Sequence, residues 1–233
     1  MKKSKKIILI ITIILLIILA IFTGIKIYQY NTVMKITDAV KAKRDSLNFF
    51  YEINEENVTY RVYAKNNKVK RENVDKDGNI VHIFFTDTNT KQTHLVWPID
   101  KVYTLMTDTN FGAGFVNLPD SLGISINAQE SNLLEKINFA LSIKSITHDT
   151  LDNKDTLKIN FNYPSDEFTF IETIWFDSNT LYPVKVDSDM DDHDATIKLT
   201  DCPLSEEEVT FTNKEGYTEV TNDDSEIESS EKN

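Results

Sequence analysis

Hydrophobic residues first form one long block and afterwards fall into periodic patterns. Residues 7–25, IILIITIILLIILAIFTGI, contain no charge and follow four lysines at positions 2, 3, 5 and 6. At about 1.5 Å per residue, a helix of this length spans roughly 28 Å, which is close to the hydrocarbon thickness of a bilayer. The block therefore predicts a transmembrane helix, preceded by a short stub of residues 1–6.

A cleaved signal peptide is the competing interpretation of this block. The apolar region of a signal peptide usually has about 7 to 15 residues and ends in a small-x-small site. This block is longer, Ala20-Ile21-Phe22 does not match such a site, and no cysteine follows directly for lipidation. The sequence thus favours an uncleaved signal anchor. Because the four lysines outnumber Lys26 on the other side, we expect a cytoplasmic N-terminus and an extracytoplasmic remainder at the cytoplasmic membrane.

An amphipathic helix is predicted directly after the membrane segment, and we expect it to continue from the membrane helix with a break near Gly24 or Asn31. Its apolar positions recur at near-helical spacing, at Val33, Ile36, Val40, Leu47 and Phe50.

From Val58 onward the hydrophobic period changes to two, which is typical of half-buried strands joined by short turns. The run FTFIETIWF, residues 168–176, is apolar on both faces, so we expect it near the centre of the sheet. Strands are predicted at 58–63, 68–74, 79–86, 91–97, 101–106, 157–163, 168–176, 182–187 and 195–200.

Two segments interrupt the strands. Residues 107–127 hold three of the six glycines together with Phe111 and Phe115, and predict a long apolar loop that either has a function or plugs the core. Next, Asn127 and Glu130 form a candidate capping box for a second amphipathic helix that runs through residues 133–141.

These elements predict an α+β fold, a curled antiparallel β-sheet or incomplete barrel with covering helices, after one N-terminal transmembrane helix. The extracytoplasmic domain is expected over residues 26–204, with 220 as the alternative limit if a final strand follows. Residues 221–233 are acidic and serine-rich and predict a disordered tail.

The charge distribution narrows the range of partners. The formal net charge is -12, and residues 205–233 carry ten carboxylates against two lysines. A negative body with a negative tail repels a phosphate backbone, so nucleic acid is not an expected partner. Anionic lipid headgroups are repelled as well, except near the N-terminus.

Motifs of catalysis and of cofactor binding are not found in the sequence. Cys202 is the one cysteine, the four histidines lie in separate segments, and neither a G-x-S-x-G motif nor a glycine-rich phosphate loop occurs. We therefore expect no enzyme, no catalytic residue and no cofactor.

One acidic run leaves metal binding open. Residues 187–194, DSDMDDHD, gather five carboxylates that could bind a hard cation. The run does not match an EF-hand loop, since Asp192 stands at the glycine position and Lys198 at the final glutamate position. A solvated turn is the alternative, and our prediction is that the chain has no metal site.

Five segments form a recognisable pattern: KVKRENV with Arg71, IFFTDTNT with Asp87, LVWPIDKVYTL, IETIWFDSNTLYPVKVD and EEEVTFTNKEGY. They resemble the superfamily of LolA-like lipoprotein carriers, which includes Gram-positive proteins, and the resemblance extends over residues 32 to about 220. Thr88 and the pair Leu181-Tyr182 depart from glycine-containing steps of the family pattern. The family's carriers are soluble shuttles, whereas a tethered chain can only capture or present a ligand locally.

The resemblance implies an incomplete barrel whose hydrophobic hollow accepts acyl chains, so lipid or lipoprotein is the suspected partner. The competing interpretation is that the aromatic residues merely fill the core. A tethered protein-interaction or regulatory module of the cell envelope is the alternative function. The residues expected to line the hollow are Tyr60, Phe85, Trp97, Tyr103, Phe111, Phe115, Ile171 and Trp175.

Overall fold

Two helices and a sheet of twelve strands form the described part of the chain. The computed structural model describes residues 2–55, 57–107, 132–164, 169–189 and 193–220. The helices are α1, Lys2–Asp45, and α2, Leu133–Ser142. The strands are β1 Asn48–Asn54, β2 Val58–Lys65, β3 Lys68–Asp75, β4 Ile80–Asp87, β5 Gln92–Trp97, β6 Val102–Thr107, β7 Ile143–Leu151, β8 Lys154–Pro164, β9 Thr169–Asp177, β10 Pro183–Ser188, β11 His193–Thr200 and β12 Thr218–Glu219.

The sheet consists of two antiparallel meanders that meet at one pair of strands. Its order is β12-β6-β5-β4-β3-β2-β1-β11-β10-β9-β8-β7, so β1 pairs with β11 where the meanders join. Of the described strands, only β12 pairs in parallel, with β6. The two edges of this sheet, β12 and β7, are not paired with each other, and the sheet stays open. The predicted α+β fold with a curled, incomplete barrel is confirmed.

Helix α1 runs from the apolar block into the domain as one uninterrupted element. The break predicted near Gly24 or Asn31 is wrong, because one exposed glycine costs a helix only about 1 kcal/mol. The helix ends at Asp45, and Leu47 has a positive φ of 46°. Leu47 and Phe50, predicted to lie in the helix, lie in the turn and in β1. The N-terminal part of α1 is long and apolar enough to span a membrane.

The C-terminal half of α1 forms the centre of the hydrophobic core. Val33, Ile36 and Val40 are 1%, 0% and 0% exposed, as their helical spacing predicts. Their partners are buried side chains from both meanders, including Phe49, Ala64, Ile143, Ile159, Phe161, Ile174 and Phe176. The sheet therefore curls around α1, and the face that packs on the helix is called the concave face below.

A capping box of Asn132 and Glu135 starts α2. The backbone N–H of Glu135 donates to Asn132 Oδ1 at 3.0 Å, and the Asn132 N–H donates to Glu135 Oε2 at 3.2 Å. The predicted pair, Asn127 and Glu130, lies outside the described residues.

The predicted strands are confirmed to within three residues at each end, whereas β1 and β7 were not predicted individually. Strand β9 has neighbours on both sides but lies near one edge, and β1 and β2 occupy the centre instead. The segment EEEVTFTNKEGY forms turns rather than a strand, and β12 follows it. Regular structure thus continues to Glu219.

Candidate functional site

Strand register sorts the candidate side chains onto the two faces of the sheet. Directly paired residues share a face, and successive residues alternate between faces. Tyr60 pairs with Asn73, which pairs with His82. Val62, one of the core residues around α1, pairs with Arg71. Tyr60, two residues before Val62, therefore lies on the concave face.

The concave face is only partly filled by α1. Among the described residues, the core cluster around α1 takes side chains from β1–β3 and β7–β11 and none from β4, β5 or β6. Beyond the helix lie half-buried residues that we call the aromatic wall: Tyr60, Arg71, His82, Phe84, Leu95 and Trp97. One side of the predicted hollow is therefore packed, and the other presents the aromatic wall.

A cation stands in the middle of the aromatic wall. The Arg71 guanidinium carbon lies 4.9 Å from the ring centre of Tyr60 and 5.7 Å from that of Phe84. Burial lowers the pKa of Arg71, while Tyr60 opposes the shift. The Trp97 ring packs edge-on against His82, with 6.1 Å between ring centres. The wall thus combines a partly desolvated positive charge with apolar surface.

Two predicted lining residues, Phe85 and Tyr103, lie on the opposite, convex face. There the C-terminal segment, residues 201–220, covers them, because Phe211 stacks on Phe85 at 5.4 Å and contacts Tyr103 at 5.2 Å. Val209 in the same segment is 1% exposed. These aromatics are packed by the protein's own chain.

Trp175 and Ile171 also lie on the convex face, at the other meander. The Trp175 ring lies between the ammonium groups of Lys158, 4.8 Å away, and Lys185, 5.3 Å away. Its indole N–H donates to Asp149 Oδ2 at 2.9 Å, a bond that lowers the pKa of Asp149. Ile171 is half exposed. Neither residue faces the hollow.

The strand register divides the residues predicted to line the hollow between the two faces of the sheet. Tyr60 and Trp97 share the concave face, whereas Phe85, Tyr103, Ile171 and Trp175 do not join them there. Phe111 and Phe115 lie outside the described residues. The sequence did not show which face of each strand lies towards α1.

Sequence reasoning missed Phe84, Leu95 and His82 as wall residues. In the pair Phe84-Phe85, the two residues are equally apolar, so the sequence does not show which of them faces the hollow. In the structure Val62 pairs with Arg71, Arg71 with Phe84, and Phe84 with Leu95. A register shift between Asn73 and Val74 separates the β3–β4 turn from Arg71, so the hairpin length alone would have placed Ile83 opposite Arg71 and exchanged the faces of β4.

A second, polar groove of about 680 Å³ crosses β1 and β8–β11. Its charged lining residues are of both signs: Glu55, Asp152, Lys154, Asp177, Lys185 and Lys198. Because these positive and negative charges balance, the groove has no net electrostatic field that would attract cations or anions selectively.

Within the described ranges, no three side chains of His, Cys, Asp or Glu are grouped so that they could hold a metal ion. Residues 190–192 of the acidic run lie outside those ranges. At its edge, Asp189 Oδ1 accepts a hydrogen bond from the Ile171 backbone N–H at 2.7 Å.

Comparison with known proteins gives likenesses in fold alone. No protein-family model matches the chain, and no curated protein matches it. An uncharacterized conserved protein from Thermus thermophilus has a TM-score of 0.48 at 10% identity, over 81% of this chain and 98% of that one. A crystal structure of MucB gives 0.44 at 10% identity, over 77% and 62%. The complex of Pseudomonas aeruginosa MucA and MucB gives 0.39 at 11%, over 76% and 60%.

This chain thus spans about three fifths of the MucB chains that it matches. These likenesses are too distant to assign a function, which therefore has to be inferred from the molecule's own geometry.

Proposed function

We propose that this protein is a membrane-anchored, extracytoplasmic binding domain, without catalytic activity, whose ligand is an anionic amphiphile such as a lipid or the acyl chain of a lipoprotein. The observation that carries the proposal is the Arg71 guanidinium over Tyr60 and Phe84, on the part of the concave face that α1 leaves uncovered.

The chemistry of the wall fits the two ends of such a ligand. A guanidinium forms paired, charge-assisted hydrogen bonds with a carboxylate or a phosphate, and these bonds strengthen where water is partly excluded. Half-buried rings such as Phe84 and Trp97 offer apolar contact for a hydrocarbon chain. The wall can therefore bind a negative headgroup and an attached chain side by side, because Arg71 supplies a local positive charge on a chain that is acidic overall.

The anchor supports local capture rather than transport. Helix α1 is continuous from the apolar block to Asp45, and its buried residues Ile36 and Val40 are part of the domain core. A stiff helix packed into the core prevents the domain from swinging far from the bilayer. Any ligand is thus met close to the membrane surface.

The two tryptophans provide reporters for the two faces. Trp97 lies on the aromatic wall and Trp175 on the convex face, and the chain has no other tryptophan. In the Trp175→Phe variant, a brominated fatty acid should quench the remaining Trp97 emission saturably. In the Trp97→Phe variant, Trp175 should be quenched little. Equal quenching of both tryptophans, or no saturable quenching of either, would contradict binding at the wall.

Arg71 should account for headgroup binding. We expect Arg71→Met to weaken fatty-acid affinity about tenfold or more, because a hydrogen bond to a charged group is worth roughly 1.5–3 kcal/mol. The matched control is Arg61→Met, since Arg61 lies on the convex face and its Nε donates to Glu52 at 2.8 Å. The affinity is measured from Trp97 quenching. Equal affinities of the two variants would remove Arg71 from the site.

A second candidate function is protein binding at the β7 edge of the sheet. Strand β7 has nine residues, its residues 147–150 are exposed, and in the described part of the chain it pairs only with β8. Such an edge can accept an extended peptide as a further strand.

A photo-crosslinker tests the edge. Placed at Thr147 in β7, it should yield one stoichiometric protein adduct from native membranes that survives delipidation. Placed at the equally exposed Thr196 in the interior strand β11, it should yield none. Lack of an adduct at Thr147 would leave amphiphile binding as the sole candidate.

A further inference from the structure

Helix α2 presents a row of large aliphatic side chains that the rest of the described chain does not cover. Leu133, Leu134, Ile137 and Leu141 are 75%, 67%, 46% and 44% exposed. A contiguous apolar face of this kind on a soluble surface marks an interaction site. The face is distinct from the aromatic wall, and the inference drawn from it rests on the proposed membrane anchor but not on the proposed ligand.

The apolar face borders a groove between α1 and α2. The groove has a volume of about 410 Å³ and is lined on the α1 side by Phe22, Lys26, Ile27 and Tyr30 and on the α2 side by Lys136 and Ile137, among others. The two helices are held together beside it, because Tyr30 packs edge-on against Phe139 at 6.3 Å and the Lys26 ammonium donates to the Ile143 carbonyl. The groove is therefore a fixed feature of the helix pair.

The groove lies where α1 leaves the apolar block. Its first lining residue, Phe22, belongs to residues 7–25, and at about 1.5 Å per residue Tyr30 lies only some 12 Å further along the axis. Exposed apolar surface therefore continues without a gap from the membrane-spanning part of α1 through Ile27 onto α2. A water-facing protein partner would have to reach into the bilayer to occupy it.

Charge at the rim agrees with a lipid surface. Lys136 lines the groove and Lys144 is exposed just beyond it, while the Lys26 ammonium at the same margin donates to the Ile143 carbonyl. Long lysine side chains can extend from an apolar site to the phosphate level of a bilayer. The rest of the chain is acidic, so these lysines form a locally positive margin around an apolar face.

From these observations we infer that α2 is a second membrane-contact element, which lies in the interface of the leaflet on the domain's side, and that lipid acyl chains fill the groove between α1 and α2. The domain is then attached to the bilayer at two elements rather than one, which fixes its orientation and the direction in which the aromatic wall faces.

Spin-label depth measurements on the full chain test this inference. In a Cys202→Ser background, a nitroxide is attached to Leu134→Cys or Ile137→Cys in liposomes of phosphatidylethanolamine and phosphatidylglycerol. The matched control is Thr150→Cys, an exposed site roughly 23 Å along β7 from Ile143. Relaxation by oxygen reports the bilayer, and relaxation by a water-soluble nickel chelate reports solvent.

We expect labels on α2 to be relaxed more by oxygen than by nickel, and the Thr150 label to show the reverse. Nickel relaxation at Ile137 as strong as at Thr150 would overturn the inference, because α2 would then face water. Dipolar broadening between copies would also overturn it, in favour of a second chain in the groove. Low access to both reagents would overturn it in favour of coverage by another part of the same chain.

Discussion

A chain shortened to begin at Lys26 should fold, whereas a chain that begins at Ser46 should not. Val33, Ile36 and Val40 are fully buried, and burial of such a side chain is worth about 1.5–3 kcal/mol each. Together they contribute roughly 5–9 kcal/mol, comparable with the whole stability of a typical domain, about 5–15 kcal/mol. The post-membrane half of α1 is therefore part of the domain and not a linker.

Both shortened chains are compared in mild detergent by near-ultraviolet circular dichroism and urea unfolding. A cooperative transition for the chain from Ser46 would contradict the prediction. Point variants give the same test without truncation. Ile36→Ala should lower the free energy of unfolding by about 2–5 kcal/mol, whereas Lys35→Ala, at an exposed neighbouring position, should change it by no more than about 0.5 kcal/mol.

The second large effect, on the free energy of unfolding, should come from a substitution at Glu172. This residue carries a buried carboxyl on the concave face, opposite Phe161 in β8. Its Oε2 atom has no hydrogen-bond partner in the described part of the chain. Burial raises the pKa of Glu172 to about 7. A Glu172→Gln variant, which never ionises, should therefore be more stable than the natural chain at pH 8, by about 3 kcal/mol at most.

The direction in which stability changes with pH follows from proton linkage. Because the folded pKa lies above the unfolded value, the folded state binds more protons, and stability falls as the pH rises from about 4.5 to about 7. The advantage of Glu172→Gln should thus be absent near pH 4, grow across this range and be complete at pH 8. Urea midpoints of both chains at several pH values measure it.

Glu52→Gln is the matched control for this comparison. Glu52 accepts from Arg61 on the convex face, and its loss should lower stability slightly at pH 8, by at most about 1 kcal/mol. A Glu172→Gln advantage that did not change with pH would show that burial of the charge is not its cause.

The position of α1 decides which part of the concave face becomes core. By occupying that face next to β1–β3 and β7–β11, α1 leaves the aromatic wall, which lies on β2–β5, outside its core cluster. The same continuous helix begins in the apolar block of residues 7–25, which is long and apolar enough to span a membrane.

The sequence by itself determined the elements whose signal is local. Nineteen uncharged residues suffice for a spanning helix, and alternation such as that from Leu157 to Tyr163 suffices for a strand, because both depend only on the residues within the element. The helical spacing of Val33, Ile36 and Val40 likewise predicted their burial. Of the residues predicted to line the hollow, Tyr60 and Trp97 share the concave face.

The tertiary structure decided the rest. Leu47 and Phe50 fit the helical period, and their change to the turn and to β1 follows from pairing with β2 and β11, which lie far along the chain. Whether Phe84 or Phe85 faces the hollow depends on register accumulated over several hairpins, in which a shift of one residue exchanges the faces. That α1 fills the concave side depends on packing between distant segments, and local periodicity does not record which surfaces meet.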